Sequence, residues 1–298
     1  MASEEGVIME VHQLRYFCAV AETGSFTRAA ERENVSQPSL SQQIIKLEAE
    51  LGTRLFDRAA RRARLTPSGE ALLSRARAVL QELVDARKQI DEMSGNVSGR
   101  VTVGAIPTIG PYFLPARLKR FSKAYPQVHV TVVEEITPVL LEKLRVGELD
   151  YALLALPVQG KDLECRELLR EPLFLVVHEG HRTARRQSVE LKSLDGEDFL
   201  LLKDGHCFRE TAISACKKAR FEPSIVFESG HFESIVSLVS SGIGISIVPQ
   251  MAAQPRDGCK YVRIREPWAF RPVGLVRLKQ HYVTRAMAAF EEELEEDR

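Results

Sequence analysis

The stretch FTRAAERENVSQPSLSQQIIKLEAELGTRLFDR, Phe26 to Arg58, decides the reading of the N-terminal third. Ser25 stands where a helix N-cap belongs, ahead of a short helical pattern that Asn34 closes. Ser36 then caps a second helix, and Pro38 falls in its first turn, where a missing N–H costs nothing. Leu40, Ile44, Leu47 and Leu51 recur three or four apart, so they form the buried stripe. Ser36, Gln37, Pro38, Ser39, Gln42, Gln43 and Lys46 are left for the other face. Upstream, Leu14, Phe17, Cys18 and Ala21 mark an apolar face on a helix that Gly24 ends. Two short helices across a tight turn make a helix-turn-helix, and a polar, nearly uncharged second helix suits reading base edges in the major groove. The solvated face of an ordinary helical bundle would carry the same pattern.

The next segment favours DNA. GTRLFDRAARRARLT holds Arg54, Arg58, Arg61, Arg62 and Arg64 against one acid, Asp57. So lopsided a charge run after a polar helix reads as a wing that grips phosphates. Thr66-Pro67 opens a long helix to about Met93. Its Leu72, Ala76, Val79, Leu83, Ala86 and Ile90 alternate four and three apart, the spacing of a coiled-coil seam. A dimer joined there would present two recognition helices to successive major-groove faces. SGNVSG, Ser94 to Gly99, reads as a hinge.

The segment Phe26–Arg58, followed by LTPSGEALL at Leu65–Leu73, resembles the DNA-binding domain of LysR-type transcriptional regulators. The resemblance implies a winged helix-turn-helix over 9–66, a dimerisation helix over 67–94 and a two-lobed α/β effector domain of periplasmic-binding-protein type over 99–298. It also implies double-stranded operator DNA and RNA polymerase as partners, a homo-oligomer, commonly a tetramer, and a cytoplasmic setting.

The remaining residues fit that expectation. RVTVGAI, VHVTVVEE, YALLAL, LFLVV, FLLL, SIVFES and GISIVP read as strands. PARLKRFSKAY, TPVLLEKLRVG, CFRETAISACKKA, HFESIVSLVSSG and VTRAMAAFEEELEE read as helices. Such alternation argues for parallel sheets. Two lobes are expected, one over about 99–171 and 269–298, the other over about 172–268. Lys plus Arg and Asp plus Glu are 41 each, so overall charge points to no partner. The N-terminal residues lack the basic start and apolar core of a signal peptide, and no apolar run approaches a membrane span. No phosphate-binding loop, complete dinucleotide fingerprint or nucleophile elbow is present, and HEGH at His178–His181 has the wrong spacing for a helical zinc site. The expectation is a sensor without cofactor or metal, not an enzyme.

Five cysteines occur: Cys18, Cys165, Cys207, Cys216 and Cys259. In DGHCFRETAISAC, Asp204–Cys216, two of them sit in one helical pattern. Cys207 is at the helix start, where the dipole, His206 and Arg209 are expected to lower the thiol pKa. A small core residue is the alternative. Cys216 reads as buried and apolar. Nine helical residues separate the two by about 13.5 Å along the axis and turn them to opposite faces. A disulfide needs Cα atoms within about 7 Å. The intact helix therefore forbids the bond, and the bond would dismantle the helix.

IPTIGPYFLP at Ile106–Pro115, DGHC, the nine-residue cysteine spacing, SGHFESIVSLVSSGIGISIVP and RPVGLV resemble the hydrogen-peroxide-sensing branch of the LysR family. That resemblance implies a peroxide-attacking Cys207, a resolving Cys216 and an activator of an oxidative-stress response. Thr108 is the first candidate to hold peroxide, then His206 and Arg209, with Arg271 weaker. Thr137 either lines the cleft or is a plain N-cap. His231 reads as a helix-start residue, and Cys18, Cys165 and Cys259 as structural or incidental. A regulator answering a small organic effector, with redox-silent cysteines, is the alternative. A thiol peroxidase is disfavoured by the residues given to DNA binding and dimerisation.

Overall fold

The structure, a computed structural model, describes residues 9–57, 63–91 and 97–295. The chain divides into two compact units, Met1–Met93 and Ser94–Arg298.

In the first unit, α1 (Val11–Thr23) ends at Gly24, whose φ of 62° is the left-handed conformation that glycine adopts freely. Helix α2 (Phe26–Arg32) is capped by Ser25, whose side chain accepts from the Arg28 N–H. Helix α3 (Gln37–Glu50) is capped in the same way by Ser36, from the Ser39 N–H. Phe17, Ala29, Leu40, Ile44, Leu47 and Phe56 are almost fully buried and form the core. Leu51 and Ala21 are only half-buried, at the margin of that core.

The wing is a short antiparallel ladder of β1 (Phe56–Asp57) and β2 (Arg64–Leu65). Arg54 and Arg64 are exposed at its base. Arg58, Arg61 and Arg62 lie outside the described residues. A buried carboxylate ties the wing down: Glu48 Oε1 accepts the Leu55 N–H at 2.8 Å and the Phe56 N–H at 3.2 Å. Helix α4 (Pro67–Asp91) then starts against Leu55 so closely that a Cβ on Gly69 would meet the Leu55 carbonyl at 2.3 Å. Ala76 of α4 is buried in this core, but Val79, Leu83, Ala86 and Ile90 are exposed.

The second unit is a two-lobed α/β structure. In the first lobe, β3 (Gly99–Ala105) pairs in parallel with β4 (Val128–Glu134) and β5 (Tyr151–Ala155). Helices α5 (Gly110–Ala124) and α6 (Thr137–Arg145) follow the strands, and α9 (Arg285–Glu295) completes the lobe. The second lobe has β8 (Asp198–Leu202) parallel to β9 (Ser224–Ser229), with α7 (Cys207–Lys218) between them and α8 (Phe232–Ser240) after them.

The sheet is not wholly parallel, which corrects the expectation from strand–helix alternation. The 16-residue strand β6 (Leu163–His178) pairs antiparallel along its first half with β12 (Phe270–Leu278). Along its second half it pairs antiparallel with β10 (Ser246–Pro249) and β11 (Cys259–Ile264). The short β7 (Ser188–Val189) adds to β11 in parallel. Strands that run from one lobe into the other need no helical crossover, so they need not be parallel. Each lobe has its own core, one containing Val103, Tyr151, Leu275 and Phe290, the other Leu175, Phe199, Phe208 and Val248. Among the described residues no helix is long and apolar enough to cross a membrane.

Candidate sensor site

Strand β8 buries Phe199–Leu202 and delivers the chain to Gly205, which turns it with φ 92°. His206 is the N-cap of α7, without a side-chain cap bond, and Cys207 is its first residue. Cys207 packs against the core of the first lobe, although α7 belongs to the second. Cys216 lies near the far end of α7, fully buried in the core of the second lobe. All five thiols are free. One helix therefore places its two cysteines in two different environments.

Cys207 faces a crevice lined by Ile106, Pro107, Thr108, Ile136, Thr137 and His206, which has no enclosed room for a whole water molecule. Thr108, buried after β3, accepts from Arg271 Nη1 at 2.8 Å through Oγ1 and from Nη2 at 3.1 Å through its carbonyl. Arg271, from β12, is itself almost fully buried. Its charge is balanced by Glu171 of β6, whose Oε1 accepts from Arg271 Nε at 2.7 Å and also from Nη2. Glu171 Oε2 accepts the Met251 N–H at 3.1 Å. Arg271 thus stands far closer to the centre of the site than its weak ranking from sequence. Glu171 has no place among the sequence candidates: it stands between Arg170 and Pro172 in the charged first half of β6, where nothing local marks it.

Thr137 is the first residue of α6, whose N-cap is Ile136, so the plain N-cap alternative is excluded. Its Oγ1 is buried without a formed hydrogen bond to nitrogen or oxygen and lies near enough to Cys207 to favour the thiolate.

The thiol itself departs from expectation. Burial pushes the Cys207 pKa up, and Arg271, the Thr137 hydroxyl and the backbone N–H groups at the helix start oppose this without cancelling it. Arg209 does not help: its Nε meets Asp204 at 2.8 Å, and its Nη1 meets Glu228 and the Leu202 carbonyl. Burial, with Lys203 and His231, lowers the His206 pKa and so disfavours its charged form. The guanidinium that favours a thiolate is Arg271, not Arg209. Burial alone carries the Cys216 thiol up to about 12. His231 is the exposed N-cap of α8. Cys18 and Cys259 are buried, and Cys165 is exposed on β6. Among the described residues no cluster of three metal-ligating side chains occurs.

On the first unit, Ser36, Gln37, Pro38, Ser39 and Gln42 are exposed along α3. Gln37 Nε2 donates to Ser41 at 2.9 Å. Lys46 Nζ pairs with Glu10 Oε1 at 3.1 Å, so its ammonium is shared with an acid.

Residues 11–70 match the family described as bacterial regulatory helix-turn-helix protein, lysR family, and residues 94–298 match the LysR substrate binding domain. The chain belongs to the LysR family. It is a LysR-type DNA-binding transcription regulator, with the helix-turn-helix in its first unit and the effector fold in its second. It is 36% identical over 271 residues, 90% of this chain and 89% of the other, to the DNA-binding transcriptional dual regulator OxyR of Escherichia coli K12. A full-length OxyR variant from Pseudomonas aeruginosa has a similar structure, with TM-score 0.76 and 33% identity over 96% of this chain and 95% of that one. An H2O2-bound OxyR mutant of Corynebacterium glutamicum follows at TM-score 0.62 and 32% identity, covering 96% and 93%.

Proposed function

We propose that this LysR-type regulator senses hydrogen peroxide through Cys207 and Cys216 and activates an oxidative-stress response. The observation that carries the reading is the placement of α7. Cys207 faces the crevice between lobes, beside Thr108, Thr137 and Arg271, while Cys216 is held in the other core. The Cys207 thiolate attacks one peroxide oxygen, the O–O bond breaks, and hydroxide leaves to take up a proton as water. Cys216 then attacks the sulfenic sulfur, a second water leaves, and the disulfide forms. Two thiols are oxidised by two electrons in all, and one peroxide becomes two waters.

Thr108 accepts from Arg271, so its own hydroxyl proton is free to be donated to a peroxide oxygen. Arg271 stabilises the thiolate before attack and the negative charge that passes from sulfur to the leaving oxygen. His206 lines the crevice as a neutral hydrogen-bonding group, and Arg209 anchors the start of α7 rather than touching peroxide. The crevice as it stands has no space for a water-sized molecule, so local side-chain movement is needed to seat peroxide beside Cys207.

Pairing Cys207 with Cys216 requires α7 to unwind, and unwinding strips Cys216 from its core. That two-state element transmits oxidation to the oligomer. A dimer through α4, assembled into a tetramer, holds operator DNA with Ser36, Gln37, Ser39 and Gln42 at base edges and with Lys46, Arg58 and the wing arginines on phosphates. RNA polymerase is the downstream partner, and the setting is cytoplasmic.

The raised Cys207 pKa favours the second reading, a regulator of a small organic effector bound between the lobes with silent cysteines. A promoter reporter separates the two. Under the first reading Cys207→Ser abolishes the peroxide response; a normal response in that variant sinks it.

A further inference from the structure

A second cavity, distinct from the crevice at Cys207, opens between α5 and α8. It measures about 190 Å3. Drug-sized ligand sites begin near about 300 Å3, and a water occupies about 30 Å3 in the liquid, so this space suits a ligand of one ring. Its walls are aromatic: Tyr112 from α5, Phe232 from α8 and Tyr261 from β11. Tyr112 reaches from a first-lobe helix to pack on the second-lobe core.

The polar groups in the cavity are mostly donors. Arg256 contributes a guanidinium. Burial raises both phenols, Tyr261 to about 12, so each keeps its proton and can donate. Neither phenol hydroxyl has a protein hydrogen-bond partner among the described residues. Gln254 donates its amide to the Met251 carbonyl at 2.9 Å and is already committed. The single carboxylate is Glu233, which pairs with Arg256 but has 81% of its side chain exposed, against 32% for Arg256. Ser237 also receives Arg256 Nη2, at 3.2 Å, which fixes the guanidinium while Glu233 can swing out. An ion pair so exposed contributes little, and a ligand carboxylate can replace it.

We propose that this cavity binds a small ring-bearing monocarboxylate, with the ring among Tyr112, Phe232 and Tyr261 and the carboxylate on Arg256. Aromatic walls also attract cations, but Arg256 occupies the polar end and repels them. The cavity wall and the sensor crevice share one hydrogen-bonded chain. Ala252 of the wall lies in the turn Gln250–Ala252, whose Met251 N–H holds Glu171, and Glu171 holds Arg271. The assignment stands whether or not Cys207 answers peroxide.

The test is calorimetric titration of the reduced full-length protein with benzoate, and with benzylamine and phenol for comparison. Benzoate is expected to bind saturably and more tightly than either comparison compound. Arg256→Met should weaken it at least tenfold. Glu233→Gln, which frees the guanidinium at an exposed position, should tighten it. Thr137→Val, in the crevice, should leave it unchanged. The proposal is overturned if benzoate gives no saturable heat at millimolar concentration, or if Arg256→Met binds as the parent does. Tighter binding of benzylamine, or loss of binding in Thr137→Val with retention in Arg256→Met, overturns it equally.

Discussion

Arg271 Nη1 donates to Thr108 Oγ1 at 2.8 Å, and this one bond decides how the threonine hydroxyl can act. With a lone pair occupied by the guanidinium, the hydroxyl proton is left for the crevice. Thr108→Val keeps the shape and removes the donor. It leaves one buried guanidinium N–H unpaired, a cost of about 1–3 kcal/mol. We expect at least a tenfold slower oxidation of Cys207 by peroxide, followed by quenched-flow alkylation, with a modest fall in melting temperature. An unchanged rate would remove Thr108 from the chemistry.

Glu171 and Arg271 form a buried pair across 100 residues of sequence. Removing one partner strands the other's charge, which typically costs about 3–5 kcal/mol. Glu171→Leu should therefore destabilise the protein severely in denaturant titration. The double variant Glu171→Leu with Arg271→Met should recover most of that loss, yet remain slow toward peroxide. Stability and reactivity would then be separated in one pair of measurements.

The pH dependence follows from the direction of the Cys207 shift. A thiol raised above its usual 9.0 is mostly protonated at neutrality, and its thiolate fraction grows about tenfold per pH unit until the pKa is passed. Native-state alkylation of Cys207 should climb steadily from pH 7 to beyond pH 9 without levelling. Arg271→Met removes the main opposing charge and should push the profile to still higher pH. Cys216, at about 12 and fully buried, should stay unmodified in the reduced protein throughout. A plateau below pH 7 for Cys207 would contradict the geometry of the reduced site.

Along α4, Val79, Leu83 and Ile90 are 46%, 48% and 67% exposed, which is costly for apolar side chains unless another surface covers them. Leu83→Asp should lower the sedimentation mass of the full-length protein and weaken operator binding, with the helical content of the monomer little changed. Retention of the parent mass would place the subunit contacts elsewhere.

The N-terminal unit was legible because its signals are local. Gly24, Ser25 and Ser36 each act within three or four residues, and each does what its chemistry dictates. The two cysteines were legible for the same reason, since helix period alone separates them. Arg209 misled because nearness in sequence is not nearness in space; it turns from Cys207 toward Asp204 and Glu228. Arg271 and Glu171 lie on β12 and β6, and only the pairing of those strands brings them to Thr108. The charged first half of β6, LECRELLREP, hides its strand character, because one face is solvated and no apolar run marks it. Strands β11 and β12 were missed alongside it.

The most direct measurement is a thiol map of the full-length protein before and after brief exposure to equimolar peroxide, with far-ultraviolet circular dichroism of the same samples. The account predicts a Cys207–Cys216 peptide in the oxidised sample alone, with loss of helical signal corresponding to α7, both reversed by a dithiol reductant. Oxidised protein in which Cys216 stays a free thiol and the helical signal is unchanged would contradict it.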